Sequence, residues 1–214
     1  MFSLQLADPK TILCIGAHCD DIEIGCGGTL ATWARCYPQA RFIWAVFAAT
    51  GPRGEETRTA ARALLGSAAR LDFEMREFRD SYFPAQFAEI KEAVEQLGRR
   101  ATPDVVLTHH AQDRHQDHRL LSELTWNVFR NQLVLEYEIP KFEGDLGQPN
   151  VYVPLSADLA RHKVETLLKS FPSQASRDWF TADTFTAVMR LRGIECRSPS
   201  GLAEAFHGRK LVVA

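Results

Sequence analysis

The chain has 214 residues, of which 45% are hydrophobic and 24% are charged, and its formal net charge is −2. A chain of this length can bury one substantial core, so we expect a single domain over residues 1–214. The small net charge gives no basic excess for a phosphate backbone or an anionic membrane surface, so nucleic acid is not an expected partner.

The cysteines and the apolar segments indicate the compartment. The five cysteines are an odd number without a CxxC pair, which does not resemble a secreted disulfide framework. The N-terminus lacks the basic and apolar regions of a signal peptide, and no apolar segment is long enough to span a bilayer. We therefore expect a cytoplasmic protein without an integral membrane segment, whose oligomeric state the sequence does not determine.

Strand-like runs alternate with helical patterns along the chain. The predicted strands are 11–17, 41–50, 104–110, 133–139, 150–155 and a short terminal strand at 209–214. The predicted helices are 28–37, 56–69, 85–99, 117–130, 156–170 and 181–191. This order predicts a three-layer α/β/α fold with a Rossmann-like, mostly parallel sheet and helices on both faces. The segment 138–150 is the longest Gly/Pro-bearing loop and is a candidate functional segment.

Side chains that can bind metals follow two of the predicted strands. The first strand is followed by His18, Asp20 and Asp21, and the third by His109, His110, Asp113, His115, Asp117 and His118. The carboxyl ends of parallel strands meet at the same edge of a sheet, where ligands bind. Five histidines should therefore lie on two neighbouring loops.

The residue types at this edge favour a catalytic metal. Two adjacent aspartates repel each other unless a cation is near. Imidazole and carboxylate ligands without a run of thiolates suit a zinc ion held by three protein ligands, with one position open for water. A His and an Asp from residues 18–21, with one His from 115–118, would make such a set. The spare aspartate could then act as a general base.

Two motifs here resemble those of a known family. The stretch AHCDDIEIGCGGTLA (17–31) resembles the PHPDD motif of the zinc-dependent PIG-L/LmbE-type N-deacetylases, and HHAQDRHQDHR (109–119) resembles their HxDH motif. The resemblance extends along nearly the whole chain, including PDVVLTHH (103–110) and AEAF (203–206). Found together and in this order, the two motifs are a specific signal.

The resemblance implies a role for each motif residue. It makes His18, Asp21 and His118 the zinc ligands, with iron(II) as an alternative metal, and Asp20 the general base. It makes His115 a protonated group that stabilises the tetrahedral intermediate or protonates the leaving amine, with Asp117 as its electrostatic partner. The implied reaction is removal of the acetyl group from an N-acetylglucosamine-type sugar or its conjugate by zinc-bound water.

The chain departs from the motif at two positions. Ala17 and Cys19 replace the two prolines of PHPDD, so the loop lacks their fixed φ angles. Because the side chains that flank His18 and Asp20 should point away from them, we expect Cys19 to be a bystander.

Candidate substrate contacts lie on loops near the same edge. They are Arg53, Glu56, Asp80, Tyr82, Tyr137 and Glu138. Arg53 and Glu56 could equally begin and cap a solvated helix. Tyr137 ends a strand beside the long loop, where its ring could stack on a sugar.

Three other interpretations remain open. The spacing of His18 and Asp20 with a distant His also matches the HxD…H facial triad of non-haem iron(II) oxygenases, which is built on an all-β jelly roll. The glycines of GCGGT could form a dinucleotide loop, although two preceding aspartates would repel a pyrophosphate. A non-catalytic sugar-binding module is the third. We expect the glycines instead to let the first helix start close under the metal loop, so that close backbone approach and not anion binding is their role.

Overall fold

The computed structural model describes residues 3–67 and 69–212. Its strands are β1 (Thr11–His18), β2 (Arg41–Ala48), β3 (Arg70–Met75), β4 (Val105–His109), β5 (Leu133–Tyr137), β6 (Val151–Pro154) and β7 (Ala203–Gly208). Its α-helices are α1 (Asp21–Cys36), α2 (Arg53–Leu65), α3 (Phe87–Ala101), α4 (Gln116–Val128), α5 (Ala157–Ser170) and α6 (Ala182–Glu195). Within these described ranges, no helix is long and apolar enough to cross a membrane.

The strands form one sheet in the order β3-β2-β1-β4-β5-β7-β6. Strands β1 to β5 pair in parallel, and β7 joins β5 and β6 in antiparallel fashion. One apolar core contains residues of α3 and α4, and the other contains residues of α1, α2, α5 and α6. The predicted three-layer fold is confirmed, and it differs from the jelly roll that an oxygenase triad would require.

Some predicted elements were wrong. The first helix begins at Asp21 rather than at residue 28, because its glycines lie inside the helix and do not precede it. Strand β3 was missed because it is a polar strand at the edge of the sheet, where only β2 pairs with it. The last strand lies at Ala203–Gly208 instead of 209–214; residues 213 and 214, like residue 68 of a predicted helix, lie outside the described residues.

The glycines of α1 allow neighbouring side chains to approach the helix. A Cβ atom on Gly25 would lie 2.2 Å from Cδ2 of Tyr137, and one on Gly28 would lie 2.6 Å from Cδ1 of Leu155. The rings and methyl groups of the core therefore pack directly on the helix backbone. Close packing is the role that the sequence predicts for these glycines.

The same helix also receives a buried ion pair. The carboxylate of Glu204 accepts hydrogen bonds from the backbone N–H groups of Gly28 (2.9 Å) and Thr29 (2.6 Å). Lys163 Nζ lies 2.6 Å from Glu204 Oε1 and donates to the carbonyl oxygen of Ile24. The glycine-rich stretch thus binds a carboxylate of the chain itself. The expectation that this stretch would not bind an anion is therefore wrong, because the glycines also leave room for a buried side chain to reach the helix amides.

We expect Gly25→Ala to destabilise the protein by about 1–3 kcal/mol, because overpacking against the buried Tyr137 ring outweighs the better helix propensity of alanine. Gly27→Ala is the matched control, since the atoms nearest to a Cβ there are the flexible end of Leu64, at 3.1 Å, and Cγ of Lys163, at 3.7 Å. Denaturant unfolding of both variants measures the difference. Equal stability of the two would contradict this account of the packing.

Candidate metal centre

The turn between β1 and α1 presents the first motif at the carboxyl edge of the sheet. β1 ends at His18, and α1 begins at Asp21. Asp20, between them, has φ 97°, a left-handed conformation that is strained for a residue with a side chain. The His18 N–H donates to Asp21 Oδ2 at 2.7 Å and closes the turn. This geometry places the two aspartates side by side with distinct surroundings.

Three predicted ligand atoms form a compact triangle. His18 Nδ1 lies 3.2 Å from His118 Nε2 and 3.4 Å from Asp21 Oδ2, and the latter two atoms are 3.5 Å apart. Tetrahedral zinc with bonds of about 2.0–2.1 Å would separate its ligands by about 3.3–3.4 Å. The donor types and their spacing therefore fit a zinc-like ion.

Carboxylates contact the ring nitrogen of each ligand histidine that is not part of the triangle. His18 Nε2 lies 3.1 Å from both Asp117 Oδ2 and Asp80 Oδ1, and His118 Nδ1 lies 2.9 Å from Asp113 Oδ2. Asp117 is itself fixed by the backbone N–H groups of residues 81 and 83. Carboxylates in such positions orient metal-binding histidines and increase their donor strength.

Among the residues that the structure describes, three further groupings of donors overlap this triangle. They are His18, His115 and His118; His18, Asp80, His115 and Asp117; and Asp21, His109 and His118, each with ligand atoms within 4.8 Å of one another. Burial and the neighbouring charge of His109 lower the pKa of His118 to about 4. His118 is therefore neutral at pH 7, as a metal ligand must be.

The surroundings drive the pKa values of the two aspartates apart. Burial and the charge of Asp21 raise the pKa of Asp20 to about 8, although Arg53 opposes the shift. Burial alone would also raise the pKa of Asp21, but the nearby histidines His118 and His109 hold it well below its usual range. Asp21 is thus suited to remain an anionic ligand and Asp20 to take up a proton.

In metal-free protein, the stability of the wild type relative to Asp20→Asn should fall as pH rises from about 4 to about 8. The folded-state pKa of Asp20, about 8, lies above the unfolded value, so its stabilising contribution is present at low pH and is lost as pH rises through the folded pKa. Asn cannot ionise and lacks this dependence. Denaturant unfolding at pH 5 and pH 9 measures it, and a constant difference would refute it.

His115 caps α4 with its side chain. Its Nδ1 accepts the N–H of Asp117 at 3.3 Å, which leaves the proton of a neutral ring on Nε2. Burial and the charge of His18 lower the pKa of His115, although Asp117 acts in the opposite direction. The protonated His115 that the resemblance implies therefore stays a prediction, and burial acts against it. A neutral ring still offers an N–H donor at Nε2.

The sequence located two residues at this edge without assigning them roles. His109 is fully buried, stacks on His118 with ring centroids 3.9 Å apart, and accepts the N–H of Ala17 through Nε2. Asp113 supports His118, and its pKa falls well below the usual range because contacts with His118 and Lys141 outweigh burial. The paired histidines of THH at the end of β4 were the only signal for His109.

Arg53 and Asp80 lie at the mouth of the site. Arg53 Nη2 donates to the carbonyl oxygen of Cys19 at 2.7 Å and lies 3.5 Å from Asp20 Oδ1. Asp80 is half-exposed and lies 3.9 Å from Arg53. Tyr82, nearby in the chain, is exposed and carries the guanidinium of Arg79 over its ring. Asp80 and Tyr82 thus keep part of their surface exposed, whereas Arg53 is engaged with the turn between β1 and α1.

Three other candidates are held by the protein. Tyr137 is fully buried and donates to the carbonyl oxygen of Ile15, so the expected stacking on a sugar is wrong. Glu138 is buried against Arg192, which satisfies both of its oxygens, and the expected sugar contact is likewise wrong. Glu56 accepts hydrogen bonds from Ser173.

The thiol of Cys19 faces away from the ligand triangle. Its Sγ approaches the carbonyl oxygen of Ala48 at 3.9 Å, and burial raises its pKa to about 11. A buried, protonated thiol is a poor ligand and nucleophile. This geometry agrees with a bystander role.

The fold and the donor cluster define an α/β protein with a candidate metal site at the carboxyl edge of a mostly parallel sheet. Residues 13–129 match the family model described as PIG-L: GlcNAc-PI de-N-acetylase. The uncharacterized deacetylase YaiS of Escherichia coli (strain K12) is 35% identical over 145 residues, which cover 61% of this chain and 75% of YaiS. The chain belongs to the PIG-L family.

Two solved structures share the fold. The N,N'-diacetylchitobiose deacetylase of Pyrococcus horikoshii has a TM-score of 0.73 at 20% identity, over 94% of this chain and 84% of its own. GalB, the 4-carboxy-2-hydroxymuconate hydratase of Pseudomonas putida KT2440, has a TM-score of 0.76 at 17% identity, over 96% and 98%. The fold thus occurs with two different activities.

Proposed function

We propose that this protein is a zinc-dependent N-deacetylase that hydrolyses the acetamido group of an N-acetylglucosamine-type amino sugar or its conjugate. The observation that carries the proposal is the triangle of His18, Asp21 and His118, with the Asp20 carboxylate in the same turn. Membership of the PIG-L family supports the reaction class. The products would be acetate and the free amine.

His18, Asp21 and His118 would hold the metal. When bound, it would polarise the acetyl carbonyl and lower the pKa of a coordinated water toward about 7. Iron(II) accepts the same donors, so the metal content of the purified protein decides between the two.

The chain's own groups would move the protons. Asp20 is buried, and its raised pKa suits it to take a proton from the attacking water and pass it to the departing nitrogen. Arg53 would fix the position of Asp20. The Nε2–H of His115 would donate to the oxygen on which negative charge develops. Asp80 and Tyr82 would contact the sugar at the mouth.

A hydratase of the GalB type is the second candidate function, because that protein shares the fold. The substrate in its name carries a carboxylate, so an unsaturated carboxylic acid tested beside the acetylated sugars separates the two functions.

The decisive experiment is a mass-spectrometric screen of zinc-loaded protein against N-acetylhexosamines joined to lipids, nucleotides and simple glycosides. Loss of an acetyl group from one panel would support the proposal. Addition of water to an unsaturated carboxylic acid, without any deacetylation, would favour the hydratase. Inactivity on all acetylated panels would contradict the proposed substrate class.

We also propose that residues 1–214 act as one catalytic domain in the cytoplasm. The sheet and both apolar cores draw on elements along the whole described chain, which supports the first part. The five cysteines are unpaired, which supports the second.

A further inference from the structure

Lys141 lies almost buried behind the candidate metal centre. It belongs to the long loop 138–150, and 11% of its side chain is exposed. Its Nζ donates to Asp113 Oδ2 at 2.8 Å and to Asp145 Oδ1 at 2.8 Å. Neither the proposed reaction nor the sequence motifs assign this cation a role.

The oxygen that Lys141 contacts also supports a ligand histidine. Asp113 Oδ2 lies 2.9 Å from His118 Nδ1, while the other oxygen, Oδ1, accepts the backbone N–H of His115 at 2.7 Å. The Lys141 ammonium and the His118 ring nitrogen therefore contact the same carboxylate oxygen. Because the ammonium neutralises part of the charge on this oxygen, the hydrogen bond from the imidazole becomes weaker.

We propose that Lys141 is a positioning residue that weakens His118 as a metal ligand by drawing the charge of Asp113 toward itself. The inference rests on the metal site of the proposed function. The ammonium also repels the dication directly, and both effects act in the same direction. A metal held by these ligands would then polarise its bound water and the substrate carbonyl more strongly.

The expected change in metal affinity can be estimated from the effect of the carboxylate that Lys141 contacts. A carboxylate that orients a metal-bound histidine typically changes metal affinity by about 10–100-fold. Lys141 modulates this contribution without removing it, so we expect a part of that range, about 3–10-fold.

If Lys141 only braced the loop, its removal would not increase the metal affinity. Lys141 and the backbone N–H of Arg114 both bind Asp145, which ties the loop 138–150 to the ligand loop. If Lys141 only braced this contact, its removal would loosen Asp113 and weaken metal binding or leave it unchanged. Tuning by charge predicts tighter binding.

The experiment is a Zn²⁺ titration of metal-free protein in competition with a chromophoric chelator at constant pH. We expect Lys141→Gln to bind Zn²⁺ about 3–10-fold more tightly than the wild type. Lys141→Arg should bind like the wild type because it keeps the charge. Asp145→Ala is the matched control, since it removes both acceptors of the same brace without removing the cation, and it should not tighten binding.

The outcomes separate the two proposals. A wild type that binds no Zn²⁺ would contradict both the proposed function and this inference. A wild type that binds Zn²⁺, with Lys141→Gln binding equally or more weakly, would overturn the inference alone. Lys141→Met provides a second uncharged variant, and thermal unfolding establishes which of the two is folded for the titration.

Discussion

Asp20→Asn should retain its zinc and lose about 10²- to 10⁴-fold in turnover. Asn has nearly the same shape as Asp but cannot accept the proton of an attacking water. The ligand triangle consists of atoms from other residues, so metal binding should persist. The rate of acetate release and the zinc content of the same preparation measure the two effects.

The control for this variant is Asp72→Asn, which removes an exposed carboxylate on the edge strand β3. It should leave both turnover and zinc content unchanged. Turnover of Asp20→Asn at the wild-type rate would show that another group is the base. Loss of zinc from Asp20→Asn would mean that the two adjacent aspartates have exchanged roles. If Asp20→Asn lost all hydrolysis and kept its zinc, the interpretation as a non-catalytic sugar-binding module would also be excluded.

Asp21→Asn should lose zinc and reduce turnover to background. Asp21 Oδ2 lies within 3.5 Å of the ring nitrogens of His18, His109 and His118, so it would supply the anionic ligand beside neutral imidazoles. A neutral amide cannot replace that charge, and carboxylate ligands bind as anions. Zinc analysis after dialysis, together with the turnover rate, measures the result.

Asp20→Asn serves as the matched control, because it makes the same chemical change one residue earlier in the chain. The two variants should differ sharply in zinc content and resemble each other in lost turnover. Wild-type zinc content in Asp21→Asn would refute its assignment as a ligand.

The layers of the fold were predictable because the central strands are buried on both faces. β1 and β2 are apolar along nearly their whole length, a pattern that local sequence displays directly. β3 was not predictable in the same way, since one neighbour and a half-exposed face leave polar residues in a strand. The start of α1 was misplaced because a glycine required by the distant Tyr137 ring resembles a turn glycine in the sequence.

The sequence likewise predicted the positions of the motif residues in the candidate site, but not the burial and ion pairing of the residues around them. The first motif follows β1 and the second follows β4, so parallel pairing of these strands brings both motifs to the same edge of the sheet. His118, in the first turn of α4, reaches His18 there. The environment of Glu138 depends on Arg192, which is 54 residues away and on another element. The direction of the His115 pKa likewise depends on burial by surrounding loops. Position along a strand is a local property, whereas burial and ion pairing are set by the complete chain.

The contact of Glu204 with the amides of Gly28 and Thr29 has a consequence for the order of assembly. It spans 176 residues and joins the helix that carries Asp21 to the last described strand of the sheet. During synthesis, β7 must therefore leave the ribosome before this helix gains its partner. We expect a nascent chain that stops before β7 to lack a rigid ligand helix, so that full metal affinity develops only when β7 docks.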